Sequence, residues 1–209
     1  LHYVVDTHTH ADHFSAAREL SRRLEVPSVM HRASGAPYVD VRVDDGEMII
    51  AGRLRLRVVH TPGHTDDSIC LVLPDRVLTG DTLLRRATGR TDLPTGDPEA
   101  LHESLFGKLL CLDDALTVHP AHDYKGAPVS TLGQEKAENP RLQQRDRTAF
   151  VAQMRALSLE MPQHLTEALR TNRTGGKTVA QLLDEAASRI SFMSMEEVCR
   201  RVAAGDRSL

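Results

Sequence analysis

The chain has 209 residues, with 26 basic and 29 acidic side chains and a formal net charge of −3. This balance gives no electrostatic reason to expect nucleic acid or a membrane as a partner, and no apolar run in the sequence is long enough to span a bilayer. The length suits one domain with an appendage, and three widely spaced cysteines outside any Cys-x-x-Cys unit indicate a reducing, cytoplasmic location.

A short apolar run at residues 3–5 predicts a buried strand, and a histidine-rich segment follows it. Within six residues this segment holds His8, His10, Asp12 and His13. In an extended segment His8 and His10 point to the same side, because successive side chains alternate. Imidazole and carboxylate together suit zinc or iron better than calcium or magnesium. We therefore interpret the segment as part of a metal site; a polar loop that is rich in histidine is the alternative.

The following elements are short strands with a few helices between them. Helical spacing of apolar residues predicts a surface helix over 14–24, and a proline at the first position predicts a second helix over 98–110. Strands are predicted at 27–31, 48–50, 54–59, 69–73, 76–79 and 115–118. From about residue 134 onward the pattern is helical.

Several predicted strands end in a tight turn followed by His or Asp. His64 follows Pro62-Gly63, Asp81 follows Gly80, and His122 comes two residues after a proline. Such loops at the ends of strands place side chains at one shared edge of a sheet. Short strands with interspersed helices favour an α/β sandwich over a doubly wound parallel fold.

Taken in order, the motifs at 8–13, 62–64, 80–81 and 120–122 resemble those of the metallo-β-lactamase superfamily. The resemblance implies an αββα sandwich with a metal site at one edge of its two sheets. It also implies further strands before the histidine-rich motif, which are missing here. We therefore expect either a longer protein or a partner that covers the exposed sheet edge.

Further segments at 89–92, 120–126 and 139–142 are similar to the glutathione-dependent persulfide dioxygenases of this superfamily. The resemblance implies one Fe(II), held by His8, His64 and Asp81, and oxidation of a persulfide sulfur by O2 to sulfite. Two histidines and one carboxylate leave open positions on the metal, as in non-haem iron oxygenases. The remaining candidates would surround the metal or form a vacant second site: His10, Asp12, His13 and His122. Of these, Asp12, His13 and His122 are the candidate catalytic residues.

Glyoxalase II, a hydroxyacylglutathione hydrolase, is similar in the same motifs and uses two metals. Because every ligand for two metals, such as two Zn(II), is present, a thioester hydrolase is the alternative function. A non-catalytic metal-binding scaffold is disfavoured, because no ligand position has been lost. The expected partners are a small thiol persulfide, such as that of glutathione, and O2; the sequence leaves a homo-oligomer open.

Three residues are candidates for binding the thiol substrate. Arg90 would hold a glutathione carboxylate in bidentate fashion, and the alternative is a structural salt bridge. Tyr124 and Lys125 suit a peptide-like ligand, although such a pair on a loop is commonly plain surface. The neighbouring Asp123 is expected to orient a histidine or an arginine, and Cys70 is expected in the core.

The domain prediction has three parts. Residues 1–145 form the catalytic domain, 146–190 a helical extension, and 191–209 resemble the beginning of a rhodanese-like domain. Ser194 and Glu197 predict a capping box for a last helix over 195–204. Cys199 lies on that helix and does not match a rhodanese nucleophile, so we expect no sulfurtransferase activity from this chain.

Overall fold

The computed structural model describes residues 1–123, 126, 129–176, 179–189 and 193–205, with only the backbone for 179–182. Within these ranges, no helix combines the length and apolar character needed to cross a membrane. The strands are β1 (Val4–Val5), β2 (Ser28–His31), β3 (Val41–Val43), β4 (Met48–Ala51), β5 (Leu54–His60), β6 (Ile69–Val72), β7 (Arg76–Gly80), β8 (Leu83–Leu84), β9 (Ala87–Thr88), β10 (Thr117–Pro120) and β11 (Ser130–Thr131).

The helices mostly follow the strands in sequence. They are α1 (Ala17–Leu24), α2 (Pro98–His102), α3 (Leu132–Glu138), α4 (Arg147–Arg155), α5 (Leu165–Thr174), α6 (Val179–Arg189) and α7 (Met195–Ala203). After α2 the chain continues as a wider π-helical turn, Glu103–Lys108, and a 3-10 turn, Leu109–Cys111. A further 3-10 turn, Pro140–Leu142, precedes α4.

Two sheets and one small hairpin carry the strands. The larger sheet has the order β11-β10-β7-β6-β5-β4 and is antiparallel except where β10 runs parallel to β7. The smaller sheet, β1-β2-β3, is parallel throughout, and β8 pairs with β9 in a hairpin. In the β5–β6 ladder, Val58 lies opposite Leu71 and Val59 opposite Cys70.

The two faces of the larger sheet bury two different apolar clusters. Val58 belongs to a cluster with residues of β2, β3, β4 and β6, so this face packs on the smaller sheet. Val59 belongs to the second cluster, which includes Leu101, Leu132 and Phe150 from the helical layer. The alternation follows from the period of two along a strand. Because α1 also contacts the smaller sheet, the layers are helix, sheet, sheet and helix, and the predicted αββα sandwich is confirmed.

The predicted strands match observed ones to within about two residues at each end, whereas the short strands β3, β8, β9 and β11 were not predicted. The first helix begins at Ala17 rather than at residue 14, where the Ser15 hydroxyl accepts the Ala17 N–H at 3.1 Å. The helix predicted over 98–110 begins at Pro98, but its regular α-helical part ends at His102. Ser104, in the wider turn that follows, donates its hydroxyl to the carbonyl of Pro62 at 2.7 Å.

The chain forms two compact units, Leu1–Gly176 and Lys177–Leu209. The first contains both sheets together with α4 and α5, so the beginning of the predicted helical extension lies in the same unit as the metal-site motifs. Phe150 of α4 is fully buried in its core. In the second unit, Ser194 accepts the N–H of Glu197 at 3.1 Å, which is one half of the predicted capping box.

Candidate metal centre

Two histidines and one aspartate from three separate loops meet at one edge of the sheets. His8 follows β1, His64 follows β5, and Asp81 follows β7 directly. All three are buried, and one ligand atom of each lies within 4.8 Å of the others. Nε2 of His8 is 3.9 Å from Oδ2 of Asp81, and Nε2 of His64 is 3.6 Å from it. We call His8, His64 and Asp81 the inner trio.

Glycines allow two of these loops to reach the site. Gly63, directly before His64, has a φ of +136°, and a Cβ there would lie 2.4 Å from the backbone of Leu101 in α2. Gly80, directly before Asp81, has a φ of +49°, and its Cβ would lie 2.9 Å from the hydroxyl of Thr7. A side chain at either position would be both strained and obstructed. Steric contacts therefore explain why a glycine precedes the histidine in the Pro-Gly-His motif and the aspartate in the Gly-Asp motif.

Hydrogen bonds fix the histidine rings of the inner trio. Nδ1 of His64 donates to the carbonyl of Arg90 at 2.9 Å, which leaves the lone pair of Nε2 facing Asp81. Nδ1 of His8 is bonded to the Thr7 hydroxyl at 3.0 Å. Burial holds the pKa of His8 well below its usual 6.5, so this ring is neutral at pH 7. Neutral imidazole is the form that binds a metal.

A second group lies beside the first on the loop that follows β1. His10, Asp12 and His13 each place a ligand atom within 4.8 Å of the others, and we call them the outer trio. The rings of His8 and His10 are 4.2 Å apart, so the two trios adjoin. His10 is buried, whereas Asp12 and His13 are exposed at the mouth of the site.

His122 connects the two trios. Its Nδ1 lies 2.8 and 3.0 Å from the two carboxylate oxygens of Asp81, and its Nε2 lies 3.1 Å from Oδ2 of Asp12. The hydrogen bond with Asp81 raises the pKa of His122 above its usual 6.5. The structure thus brings together all the predicted metal-site residues, with His122 between the two acidic side chains.

The donor set fits a transition metal. Imidazole nitrogens and carboxylate oxygens are the ligands that zinc and non-haem iron use. Among the described residues, Nδ1 of His10 is buried without a hydrogen-bond partner. Leaving a buried polar atom unpaired is unfavourable unless a ligand satisfies it. The inner trio would hold one metal ion, and the outer trio adjoins that position.

Comparison with known proteins agrees with this geometry. The sequence profile of the metallo-beta-lactamase superfamily matches residues 1–122. The chain belongs to the metallo-beta-lactamase superfamily. It is 40% identical to the mitochondrial persulfide dioxygenase ETHE1 of Bos taurus over 177 residues, which cover 83% of this chain and 69% of that protein. The mitochondrial persulfide dioxygenase ETHE1 of Homo sapiens is 39% identical to this chain, and the match covers the same shares of the two proteins.

A solved structure supports the same placement within the superfamily. The crystal structure of ETHE1 from Myxococcus xanthus has a TM-score of 0.81 and 41% identity, and the match covers 84% of this chain and 78% of that one. A hydroxyacylglutathione hydrolase of Anaeromyxobacter dehalogenans is 39% identical over 123 residues, which cover 58% of this chain and 48% of that protein. The resemblance to persulfide dioxygenases predicted from the motifs is confirmed.

The structure gives Arg90 a partner within the protein. Its guanidinium forms a bidentate pair with Asp92, at 2.6 and 2.7 Å, and donates to the carbonyl of Glu160 at 2.8 Å. This is the salt bridge that the sequence left as the alternative, and contact with a substrate stays a prediction. Tyr124 and Lys125 lie outside the described residues.

Two minor predictions near the site are confirmed. Asp123 pairs with Arg85 at 3.4 Å, as expected of a carboxylate that orients a neighbouring arginine. Cys70 is fully buried, and burial raises the pKa of its thiol to about 11.

Sequence reasoning missed two buried residues that support the histidine-rich loop. Asp67 accepts hydrogen bonds from the Thr9 N–H (3.1 Å), the Thr9 hydroxyl (2.5 Å) and the Thr65 hydroxyl (2.6 Å). Thr9 stands between His8 and His10, and Thr65 follows His64, so this carboxylate ties the two histidine loops together. The other residue is Asn172 of α5, which is 162 positions from His10 in sequence. The adjacent pair Asp66-Asp67 gives no sign of which carboxylate is buried.

Proposed function

We propose that this protein is a persulfide dioxygenase, which oxidises the terminal sulfur of a small thiol persulfide to sulfite with one Fe(II). The observation that carries the proposal is the buried inner trio of two imidazoles and one carboxylate. The identity to persulfide dioxygenases over 83% of the chain supports the same reaction. We take glutathione as the thiol carrier, from the same resemblance.

The overall reaction balances without a further reductant. Glutathione persulfide, O2 and water give glutathione, sulfite and two protons, as the terminal sulfur loses four electrons and O2 accepts four. When bound, Fe(II) would supply the electron transfer between sulfur and dioxygen. His8, His64 and Asp81 would hold it and leave positions open to both reactants.

The protein side chains around the metal position have separate roles in this proposal. His122 lies between the carboxylates of Asp81 and Asp12, and its hydrogen bond with Asp81 raises its pKa, which favours the protonated ring. In this position His122 stabilises the orientation of Asp81. Asp12 and His13 lie at the exposed mouth, with Nδ1 of His13 3.1 Å from Oδ1 of Asp12. They are placed to accept the protons that the reaction releases.

Arg90 has a narrower role than the sequence alone allows. Its guanidinium would bind a carboxylate of the thiol only by giving up part of its pair with Asp92. Its carbonyl oxygen accepts the hydrogen bond from Nδ1 of His64, a contact that does not use the guanidinium. We propose that Tyr124 and Lys125 contribute to binding the thiol carrier, as the resemblance implies.

A thioester hydrolase is the second candidate function, and the outer trio is the observation that favours it. A second metal ion beside the first would bind to residues of the outer trio, His10, Asp12 or His13. Among the described residues, Nδ1 of His10 is a buried nitrogen without a hydrogen-bond partner. Hydrolysis by a pair of metals needs a bridging hydroxide but no redox chemistry.

One preparation tested in two assays distinguishes the functions. Oxygen uptake is followed with an electrode on adding glutathione persulfide, and thioester cleavage is followed with S-lactoylglutathione. The proposal predicts oxygen uptake only with persulfide and only in iron-loaded protein, because Zn²⁺ has no redox chemistry. Rapid thioester cleavage without oxygen uptake, supported by zinc, would overturn it in favour of the hydrolase.

A further inference from the structure

The loop that carries the outer trio has little backbone support of its own. Between residues 9 and 14, the described part of the chain contains no hydrogen bond from one backbone group to another. Loops without such bonds open easily unless side chains hold them. Even so, Asp12 is held 3.1 Å from His122, a distance that requires a fixed loop.

The carboxamide of Asn172, on α5, supplies the missing bonds. Its Nδ2 donates to the carbonyl of His10 at 2.8 Å and to the carbonyl of His13 at 2.9 Å. Its Oδ1 accepts the N–H of Ser15 at 2.9 Å. The side chain is 4% exposed, so these bonds are shielded from water. Both amide hydrogens are used, and the two carbonyls they bind lie on either side of Asp12.

The helix that carries Asn172 is itself fixed to the first unit. Ala168, one turn earlier on α5, is fully buried. The hydroxyl of Tyr38 donates to the backbone carbonyl of Asn172 at 3.0 Å. Arg18 donates to the carbonyl of Gly176 at 2.7 Å, just beyond the end of the helix. The helix is thus held by several contacts that do not involve the carboxamide, and loss of one of them leaves the others.

We propose that Asn172 is a positioning residue for the metal centre. It fixes the backbone on both sides of Asp12; Asp12 then holds His122, and His122 orients Asp81 of the inner trio. Asn172 lies beyond residues 1–122, the part of the chain that matches the sequence profile of the superfamily. The helix α5 thereby becomes part of the site. The inference rests on the metal centre of the proposed function but does not depend on which reaction that centre performs.

Cobalt(II) binding to the full chain, followed by visible absorption, tests the inference. Asn172→Ala removes all three bonds, and Asn172→Asp keeps the shape but loses both amide donors. We expect either variant to bind cobalt about 10- to 100-fold more weakly, as is typical when a group that orients a metal ligand is lost. Asn172→Ser keeps one hydroxyl donor and provides a milder variant if the others do not fold; its affinity should fall between those of Asn172→Ala and the parent.

Tyr38→Phe is the matched control, because it loses a bond to the same residue of α5 but leaves the carboxamide intact. We expect its melting temperature to fall while its cobalt affinity stays within twofold of the parent. Unchanged affinity in the Asn172 variants, or an equal loss in Tyr38→Phe, would overturn the inference. Cobalt binding needs neither persulfide nor O2, so failure of the dioxygenase assay leaves this test unaffected.

Discussion

Replacing Asp67 tests how the two histidine loops are held together. In Asp67→Ala the Thr9 N–H and the Thr9 hydroxyl both lose their acceptor, whereas the Thr65 hydroxyl keeps Ser68 at 2.7 Å. A buried donor left unpaired costs about 1–3 kcal/mol. Two such donors give about 2–6 kcal/mol, and we expect a value in the lower half because the Thr9 hydroxyl can rotate.

The loss is measured by urea unfolding followed by circular dichroism. With a slope of about 2 kcal/mol per M, a loss of 2–4 kcal/mol lowers the midpoint by about 1–2 M. Because Thr9 separates His8 from His10, metal affinity should fall as well. The neighbouring Asp66 is exposed, so Asp66→Ala is the matched control and should change the free energy of unfolding by less than about 0.5 kcal/mol. Equal effects at the two positions would refute the argument.

Three further predictions concern other side chains. His31 stacks on His60 with 3.7 Å between the ring centroids, and burial lowers the pKa of His31 in the folded protein below its usual 6.5. Folding therefore favours the neutral ring. The stability that this gives is complete above pH 6.5 and is lost as the pH falls through the lower pKa of the folded protein. Urea unfolding between pH 7.5 and 5 should therefore show that the free energy of unfolding falls less with acidification in His31→Gln than in the parent, and an equal fall in both would contradict this. Arg90→Ala and Asp92→Ala should each lower the free energy of unfolding by about 1 kcal/mol, and a raised KM at unchanged stability would instead assign Arg90 to the substrate. Ellman's reagent should label two of the three thiols in the native protein and the third, Cys70, only after unfolding; rapid labelling of all three would show that Cys70 is not buried as described.

Local patterns in the sequence predicted the longer strands and the candidate metal ligands, but not the short strands β3, β8, β9 and β11. Alternation in β5 separates Val58 from Val59, and these residues do face different layers. The histidine-rich segment and the Pro-Gly-His and Gly-Asp turns supply ligands from within a few residues of a strand end. The grouping of His8, His64 and Asp81 on one metal came from the resemblance to the persulfide dioxygenases and not from these local patterns alone.

The groups that hold those ligands could not be predicted in the same way. Asp67 differs from Asp66 only in facing inward, and Asn172 reaches the loop across 162 positions of sequence. Glu135 of α3 is also fully buried, and it accepts the N–H of Arg86 at 3.0 Å and an amide hydrogen of Asn139 at 2.8 Å. Each of these roles depends on tertiary contacts, and a single Asp, Asn or Glu in a polar stretch is typical of exposed surface.

The metal content of anaerobically purified protein tests the central claim most directly. The proposal predicts one iron per chain, complete loss of that iron in His64→Ala, and retention of most of it in His122→Ala. His64 belongs to the inner trio, whereas loss of His122, which orients Asp81, weakens the binding of iron without removing a ligand. Elemental analysis of the three proteins, normalised to chain concentration, gives these ratios. Two metal ions per chain in the parent, with equal losses in both variants, would contradict the single-iron centre.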